Sequence, residues 1–254
     1  GATKQYQRRL PILSRRGTIY DRTGRELAVS LQVASVFAQP AAIEDPAGTA
    51  NALAPILGQP AKDVLARLTT DKPFVWLQRQ LEPSQAAAIS DLDLKGIGLF
   101  PESRRYYPRQ ELAAHVLGLV GLDDRGLEGL EHQYDDLLGG QPQFVEAQQD
   151  ALGRIIFRQE EPRPQAPIFD LTLTIDEVIQ YIAERALARA VERSRAKAGT
   201  AIVMDPATGE ILALANQPTF DPNIFRKASS AACDCAAPSK LRLPSAAGGR
   251  CAGG

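Results

Sequence analysis

The segment Arg16-Gly17-Thr18-Ile19-Tyr20-Asp21-Arg22-Thr23-Gly24 does most to limit what this chain can fold into. Thr18-Ile19-Tyr20 is β-prone and runs into Asp-Arg-Thr-Gly, a turn whose glycine can take positive φ. Leu27-Ala28-Val29 returns, so the pattern predicts a β-hairpin near the N-terminus. Ala34-Ser35-Val36-Phe37-Ala38 predicts a further strand. Up to Arg25 the chain is basic: Lys4, Arg8, Arg9, Arg15, Arg16, Arg22 and Arg25 face one acid, Asp21. That imbalance fits a solvated edge with carboxylate partners elsewhere in the fold, or a stalk beside anionic headgroups.

From residue 39 to about 92 the character changes, and Pro and Ala punctuate short helical patterns. Helices are predicted from Ala50 to Leu57 (ended by Gly58), from Ala61 to Leu68, and from Pro83 through Ile89. Phe74-Val75-Trp76-Leu77 is a short strand between them, and Trp76 is expected in the core. Strands return at Ile97-Gly98-Leu99-Phe100 and Ser103 to Tyr107, with Pro108 limiting the second to an edge or an end. A helix from about Glu111 to Leu117 carries His115, expected as a packed helix residue. Gly126-Leu127-Glu128-Gly129-Leu130-Glu131 leads into a helix with Leu130, Tyr134, Leu137 and Leu138 as its apolar stripe. Phe144–Ala147 and Arg154–Phe157 predict another hairpin. Residues 160–167, rich in Pro and Glu, read as a linker.

A new unit starts near Phe169. Asp170 to Leu173 predicts a strand. Thr174, with Glu177 three residues on, predicts a capping box for a helix to about Arg193. Its expected apolar face is Ile175, Val178, Ile179, Ile182 and Ala186. Thr200–Met204 and Glu210–Ala215 form a hairpin around Asp205-Pro206-Ala207-Thr208-Gly209.

Composition narrows the classes. At 254 residues, 44% hydrophobic and 23% charged, the chain is globular rather than disordered. A net charge of -1 argues against a nucleic-acid binder driven by bulk charge. No run approaches the roughly 18 apolar residues of a membrane span. With two His and three Cys, no metal centre is expected, and no cofactor. Cys233, Cys235 and Cys251 all lie in the tail, and the cysteine-free body suits an exported compartment. The tail, residues 224–254, departs from the rest: five bases meet one acid, Asp234, and no periodicity is visible. The abrupt change after Asn223 points to a message read out of frame, with a disordered low-complexity end as the other reading.

Three motifs combine. The Arg16–Gly24 segment followed by Leu27-Ala28 resembles the opening signature of class B penicillin-binding proteins. Gly126-Leu127-Glu128-Gly129-Leu130-Glu131 is similar to the Gly-x-x-Gly-x-Glu motif of that family's stem. Met204-Asp205-Pro206-Ala207-Thr208-Gly209-Glu210-Ile211-Leu212-Ala213, then Asn216-Gln217-Pro218, resembles the first hairpin of its transpeptidase domain. The wording around Val120 to Glu131 is nearest to the division-associated branch.

The resemblance implies an α+β fold. An elongated, β-rich pedestal, or dimerisation domain, would span 1–165, with a small α+β head subdomain inserted at about 39–92. An incomplete α/β transpeptidase start would follow at 166–223, then the anomalous tail. It implies a protein on the extracytoplasmic, periplasmic face of the inner membrane that takes part in peptidoglycan synthesis and division. Its partners would be cell-wall or division proteins and peptidoglycan itself, with no nucleic acid. The family's cytoplasmic tail and membrane anchor are not expected within these residues. The residues expected to hold the stem together are Arg16, Gly17, Asp21, Arg22, Gly24, Gly126, Gly129 and Glu131. Of these, Arg16, Asp21, Arg22 and Glu131 could form a charge-assisted network pinning the early hairpin to the later helix.

The family's acylation uses a Ser with a Lys one helical turn on, a Ser-x-Asn and a Lys-Thr-Gly strand. The one Ser-x-x-Lys, Ser194-Arg195-Ala196-Lys197, precedes the first strand of the domain, at a charged helix end, and Thr208-Gly209 follows Ala207. No catalytic residue is therefore assigned. Two readings remain: a non-catalytic pedestal that acts by interaction and positioning, or a serine D,D-transpeptidase interrupted by truncation or frameshift. In either, the helix at 175–193 and the hairpin at 200–215 would expose apolar faces.

Overall fold

The computed structural model describes residues 8–12, 15–139, 143–149, 155–159 and 167–225. The cysteine-bearing tail beyond residue 225 and almost all of the expected linker at 160–167 fall outside these. In chain order the strands and helices begin β1 (Arg8–Ile12), β2 (Ile19–Tyr20), β3 (Glu26–Ala38), α1 (Pro46–Leu57), α2 (Ala61–Leu68), β4 (Val75–Leu81), α3 (Pro83–Asp91) and β5 (Ile97–Tyr106). Then come α4 (Ala114–Leu117), β6 (Leu119–Val120), β7 (Gly126–Glu128), α5 (Gly129–Gln133), α6 (Asp135–Leu138), β8 (Gln143–Gln149) and β9 (Ile155–Gln159). The last are β10 (Leu171–Thr172), α7 (Glu177–Ser194), β11 (Gly199–Met204), β12 (Ile211–Gln217) and α8 (Pro222–Phe225). The mixture is α+β.

β3 is the spine. The two strands expected at 27–29 and 34–38 are one continuous strand, and those expected at 97–100 and 103–107 are likewise one. β3 and β5 pair antiparallel from Val29↔Tyr106 to Ala38↔Ile97. β4 covers the other edge of the C-terminal half of β3, and β2 covers its start. β10 joins β2 in parallel, Leu171 opposite Ile19. β1, β8 and β9 make a separate antiparallel sheet, with β8 between the other two.

The burial of β3 explains why one strand serves two bodies. Leu27 to Ser30 and Val36 to Ala38 are buried, whereas Leu31 and Gln32 between them are exposed. Ala28 and Leu27 pack with Ile19, Tyr107, Leu112, Leu117 and Leu138 in the stem. Val36 and Ala38 pack with Leu53, Leu57, Val64, Leu68, Leu77 and Leu81 in the head. The head core thus includes strand residues before residue 39, and partly buried Ile97 and Leu99 beyond residue 92.

Local chemistry sets the helix ends. Asp45 accepts the N–H of Gly48 at 2.9 Å, with Pro46 at the first helical position of α1 and Gly58 at φ 62° closing it. The helix expected at 111–117 is confined to α4. Gln110 and Ala113 take positive φ, and tight turns fill 107–113 instead. The helix expected after Glu131 breaks at Tyr134 into α5 and α6.

The cap of α7 corrects the sequence expectation. Asp176 is the N-cap, its carboxylate accepting from Val178 and Ile179. Thr174 instead donates its hydroxyl to the Ile211 carbonyl at 2.7 Å, tying the approach to β12. Asp176 has the geometric advantage, because its side chain stands one residue before the helix, where the free N–H groups are. The expected apolar face is also redirected. α7 rests on the hairpin through Leu187 and Val191, which close over Gly199, and Val178 and Ile182 point outward.

Trp76 is half-buried rather than enclosed. It meets Phe74 edge-on at 4.9 Å and Phe100 at 5.9 Å, and the Arg79 guanidinium stands 6.0 Å from its ring. His115 is partly buried, stacked edge-on against Phe220 and within 2.9 Å of the Pro218 carbonyl.

Candidate functional site

The centre of the stem is a buried cluster of charge. Arg16 leaves the segment before β2 and is 1% exposed; Glu131 sits in the first turn of α5 and is fully buried. Arg16 Nε donates to Glu131 Oε2 at 2.8 Å, and Nη2 donates to the Glu131 carbonyl at 2.8 Å. Arg16 Nη1 donates to the Asp124 carbonyl at 2.8 Å and to Asp135 Oδ1 at 2.6 Å. From the other side Arg105 of β5, also 1% exposed, donates Nε to Glu131 Oε1 at 2.6 Å and Nη1 to the Gly17 carbonyl at 2.7 Å.

Two cations and two carboxylates, Glu131 and Asp135, therefore balance. Burial opposes the charge on Arg16, but Glu131 and Asp135 together outweigh it and hold the guanidinium pKa above its ordinary value. The site suits arginine, whose planar set of donors reaches two carboxylates and two carbonyls at once.

The glycines make room for this cluster. A Cβ on Gly126 would lie 1.9 Å from the Glu131 carbonyl oxygen, so only glycine lets β7 pass that close to α5. The Gly126 N–H then reaches Asp135 Oδ1 at 2.8 Å. Gly129 opens α5 at φ 62°, against the backbone of Gly118. Gly17 lies against the Phe169 carbonyl and donates its N–H to Leu138. Gly24 closes the early turn at φ 84°.

Asp21 and Arg22, which the sequence joined to this network, lie elsewhere. Asp21, fully buried, accepts from the N–H groups of Thr23 and Arg25 and from the Thr23 hydroxyl, each at 2.8 Å through Oδ1. Its Oδ2 accepts the N–H of Glu177, the first residue of α7, at 3.2 Å. Burial alone would raise its pKa; the bonds from Arg25, Thr23 and Glu177 outweigh it and hold the carboxyl below the usual carboxylate range. Arg22 pairs with Glu210 at 3.4 Å, both more than a third exposed, and gives its N–H to the Ile175 carbonyl.

The sequence reading missed Arg105, Asp135 and the seam that Asp21 opens. Arg105 carried one signal: a charged residue in a strand whose alternation turns it inward. The seam runs from the stem to the segment after residue 170. The Asn223 side chain pairs with the backbone of Tyr107 in both directions, at 3.0 Å each. The Thr219 hydroxyl donates to the Glu111 carbonyl, Arg109 pairs with Glu177 at 2.8 Å, and Ala113 N–H meets Glu184 at 2.8 Å. Ser194 is the last residue of α7 and donates its hydroxyl to the Ala190 carbonyl at 2.7 Å. Arg195 then turns into the left-handed region, so Lys197 does not stand on a following helical turn. No group of three or more metal-ligating side chains is gathered among the described residues, and no described helix is long and apolar enough to cross a membrane.

A spine strand shared by a head and a stem, a buried Arg–Glu–Arg cluster and a docked helix–hairpin unit define a pedestal carrying the start of a second domain. The family model of the penicillin-binding protein dimerisation domain matches residues 11–173, and that of the penicillin-binding protein transpeptidase domain matches residues 199–244. The chain belongs to the penicillin-binding protein dimerisation-domain family and carries part of a transpeptidase domain. The second match continues past Asn223, into the segment that composition sets apart.

Over 219 residues the chain is 39% identical to the peptidoglycan D,D-transpeptidase FtsI of Escherichia coli K12, covering 84% of this chain and 37% of that protein. It is 34% identical over 225 residues to the stage V sporulation protein D of Bacillus subtilis, covering 87% of this chain and 35% of that one. It thus spans less than two-fifths of the length of these relatives. The structure is similar to a peptidoglycan synthetase from Bifidobacterium adolescentis, with TM-score 0.56, 28% identity, and coverage of 85% of this chain and 45% of that one. Penicillin Binding Protein 2X from Streptococcus thermophilus shares the fold, at TM-score 0.61 and 22% identity, over 88% of this chain and 37% of that one.

Proposed function

We propose that this chain is a non-catalytic pedestal of a peptidoglycan-synthesising, division-type penicillin-binding protein. It holds the transpeptidase start in a fixed orientation and offers its stem to cell-wall or division proteins outside the cytoplasmic membrane. The supporting observation is the seam. Stem residues Asp21, Tyr107, Arg109 and Ala113 engage the backbone or side chains of Glu177, Glu184 and Asn223, so the stem supplies polar partners to the second unit at several points. Such a seam transmits position because buried backbone groups must keep a hydrogen-bond partner.

The second reading is a serine D,D-transpeptidase interrupted in this sequence; the transpeptidase match reaching residue 244 supports the transpeptidase part of it and counts against a frame change directly after Asn223. Incubation with a fluorescent penicillin separates the two. The pedestal reading expects no covalent label on the denatured chain; a label that survives denaturation overturns it. Resequencing the encoding DNA from codon 215 onward tests the interruption directly: another frame that restores a Ser-x-x-Lys establishes it.

A further inference from the structure

Glu184 lies within α7 on the side turned to the stem, and its environment is unusual for a helix carboxylate. Its Oε1 accepts the N–H of Ala113 at 2.8 Å and Gln180 Nε2 at 2.7 Å. Ala113 is 2% exposed and sits at φ 54°, a left-handed conformation that an alanine adopts only when its surroundings impose it. Gln180 is fully buried. Its Nε2 also donates to the Leu214 carbonyl at 2.9 Å, and its Oε1 accepts the Leu214 N–H at 2.7 Å. The Gln180 amide thus stands in for a neighbouring strand along the edge of β12.

One carboxylate oxygen therefore joins a strained turn of the stem to the middle of β12, through a single glutamine. We propose that Glu184 is a latch that makes β12 and α7 move with the stem, by holding the Ala113 turn and the Gln180–Leu214 pair in one arrangement. The inference deepens the reading of residues 166–223 as a unit carried by the stem, and rests on it.

The latch responds to protons. Burial holds the Glu184 carboxyl above its ordinary value; Glu111 of the stem adds to this, and the bonds from Gln180 and Ala113 and the nearby His115 oppose it. These are the groups that face it from the stem and from its own helix; β12 presents the neutral Leu214. A carboxyl with a raised docked-state pKa favours docking below its free value, and this is lost as pH rises through the docked value. Ionisation loosens the latch.

The test is amide hydrogen exchange on the full chain, read at the Ala113 and Leu214 N–H groups, with Gly17 as the control inside the stem. In Glu184→Ala, exchange at both Ala113 and Leu214 rises about tenfold while Gly17 is unchanged. A rise at Ala113 alone overturns the latch, because it shows a local bond without coupling to β12. Glu184→Gln keeps an accepting oxygen and is expected to protect both amides as the parent does. After correction for intrinsic exchange, parent protection at both amides falls as pH rises above the ordinary carboxylate range, and in Glu184→Gln it stays level. Equal pH dependence in the two overturns the proposal even where Glu184→Ala does not fold. Failure of the underlying reading shows separately, as penicillin labelling with the exchange pattern intact.

Discussion

The carboxylate of Asp21 accepts the N–H of Glu177, 156 residues away in sequence, at 3.2 Å. A side chain that shapes the first hairpin turn thereby satisfies a free N–H at the start of α7, next to the Asp176 cap. Helix N-termini favour negative charge, so the stem stabilises the helix electrostatically as well as by a hydrogen bond.

Asp21→Ala is expected to lower stability by about 2 kcal/mol, since it leaves buried N–H groups without an acceptor. Chemical denaturation measures it. A loss within experimental error means that the turn is held by its backbone alone.

Asp21 also sets a pH dependence. Its folded-state pKa is held down, so its contribution is present above the ordinary carboxylate value and is lost as pH falls through the folded value. Asp21→Asn should flatten the acid side of the stability curve. Parallel curves for parent and variant from neutral pH to the acid transition count against this assignment.

Glu131→Ala leaves Arg16 and Arg105 buried with Asp135 as the remaining carboxylate. The expected cost is about 3–5 kcal/mol, the range for breaking a buried ion pair by removing one partner. Arg105→Met in the same background should recover part of it, because one uncompensated charge disappears. An additive double variant, measured by denaturation, would show that the two residues do not interact.

Gly126 and Gly24 are expected to behave differently when changed to Ala. At Gly126 the added carbon meets the Glu131 carbonyl at 1.9 Å, so the backbone must move and the cost exceeds about 3 kcal/mol. At Gly24 nothing lies within 4 Å, and only the φ of 84° opposes the change, for about 1 kcal/mol. Thermal denaturation of both variants checks the order; equal losses contradict the close approach at Gly126.

Arg79 offers a spectroscopic test, because Trp76 is the one tryptophan. Arg79 pairs with Glu102 at 3.1 Å, donates to the Leu122 carbonyl and stands over the Trp76 ring. Arg79→Ala should shift Trp76 emission to longer wavelength as water reaches the ring, with a stability loss of about 1–2 kcal/mol. Unchanged emission shows that the guanidinium does not shield the indole.

Elements whose cause is local were legible in the chain before folding. The Asp-Arg-Thr-Gly turn, the Gly58 end of α1, and the hairpin around Asp205–Gly209 follow from φ preferences and capping chemistry within a few residues, whereas α1 starts at Pro46, one turn before the expected Ala50. The sequence also singled out Arg16, Glu131, Gly126 and Gly129 by motif, before any contact was visible. It could not say that Arg105 shares Glu131 with Arg16, that Asp21 turns to α7 rather than to the arginines, or that Asp176 displaces Thr174 as a cap. Nor could it show that β3 runs unbroken through two cores, because the exposed Leu31 and Gln32 look like an interruption when only the chain is read. Those outcomes depend on which groups burial brings together. A buried charge takes whatever partner is within hydrogen-bond reach, and that partner is chosen by the packing of distant strands and helices, not by neighbours along the chain.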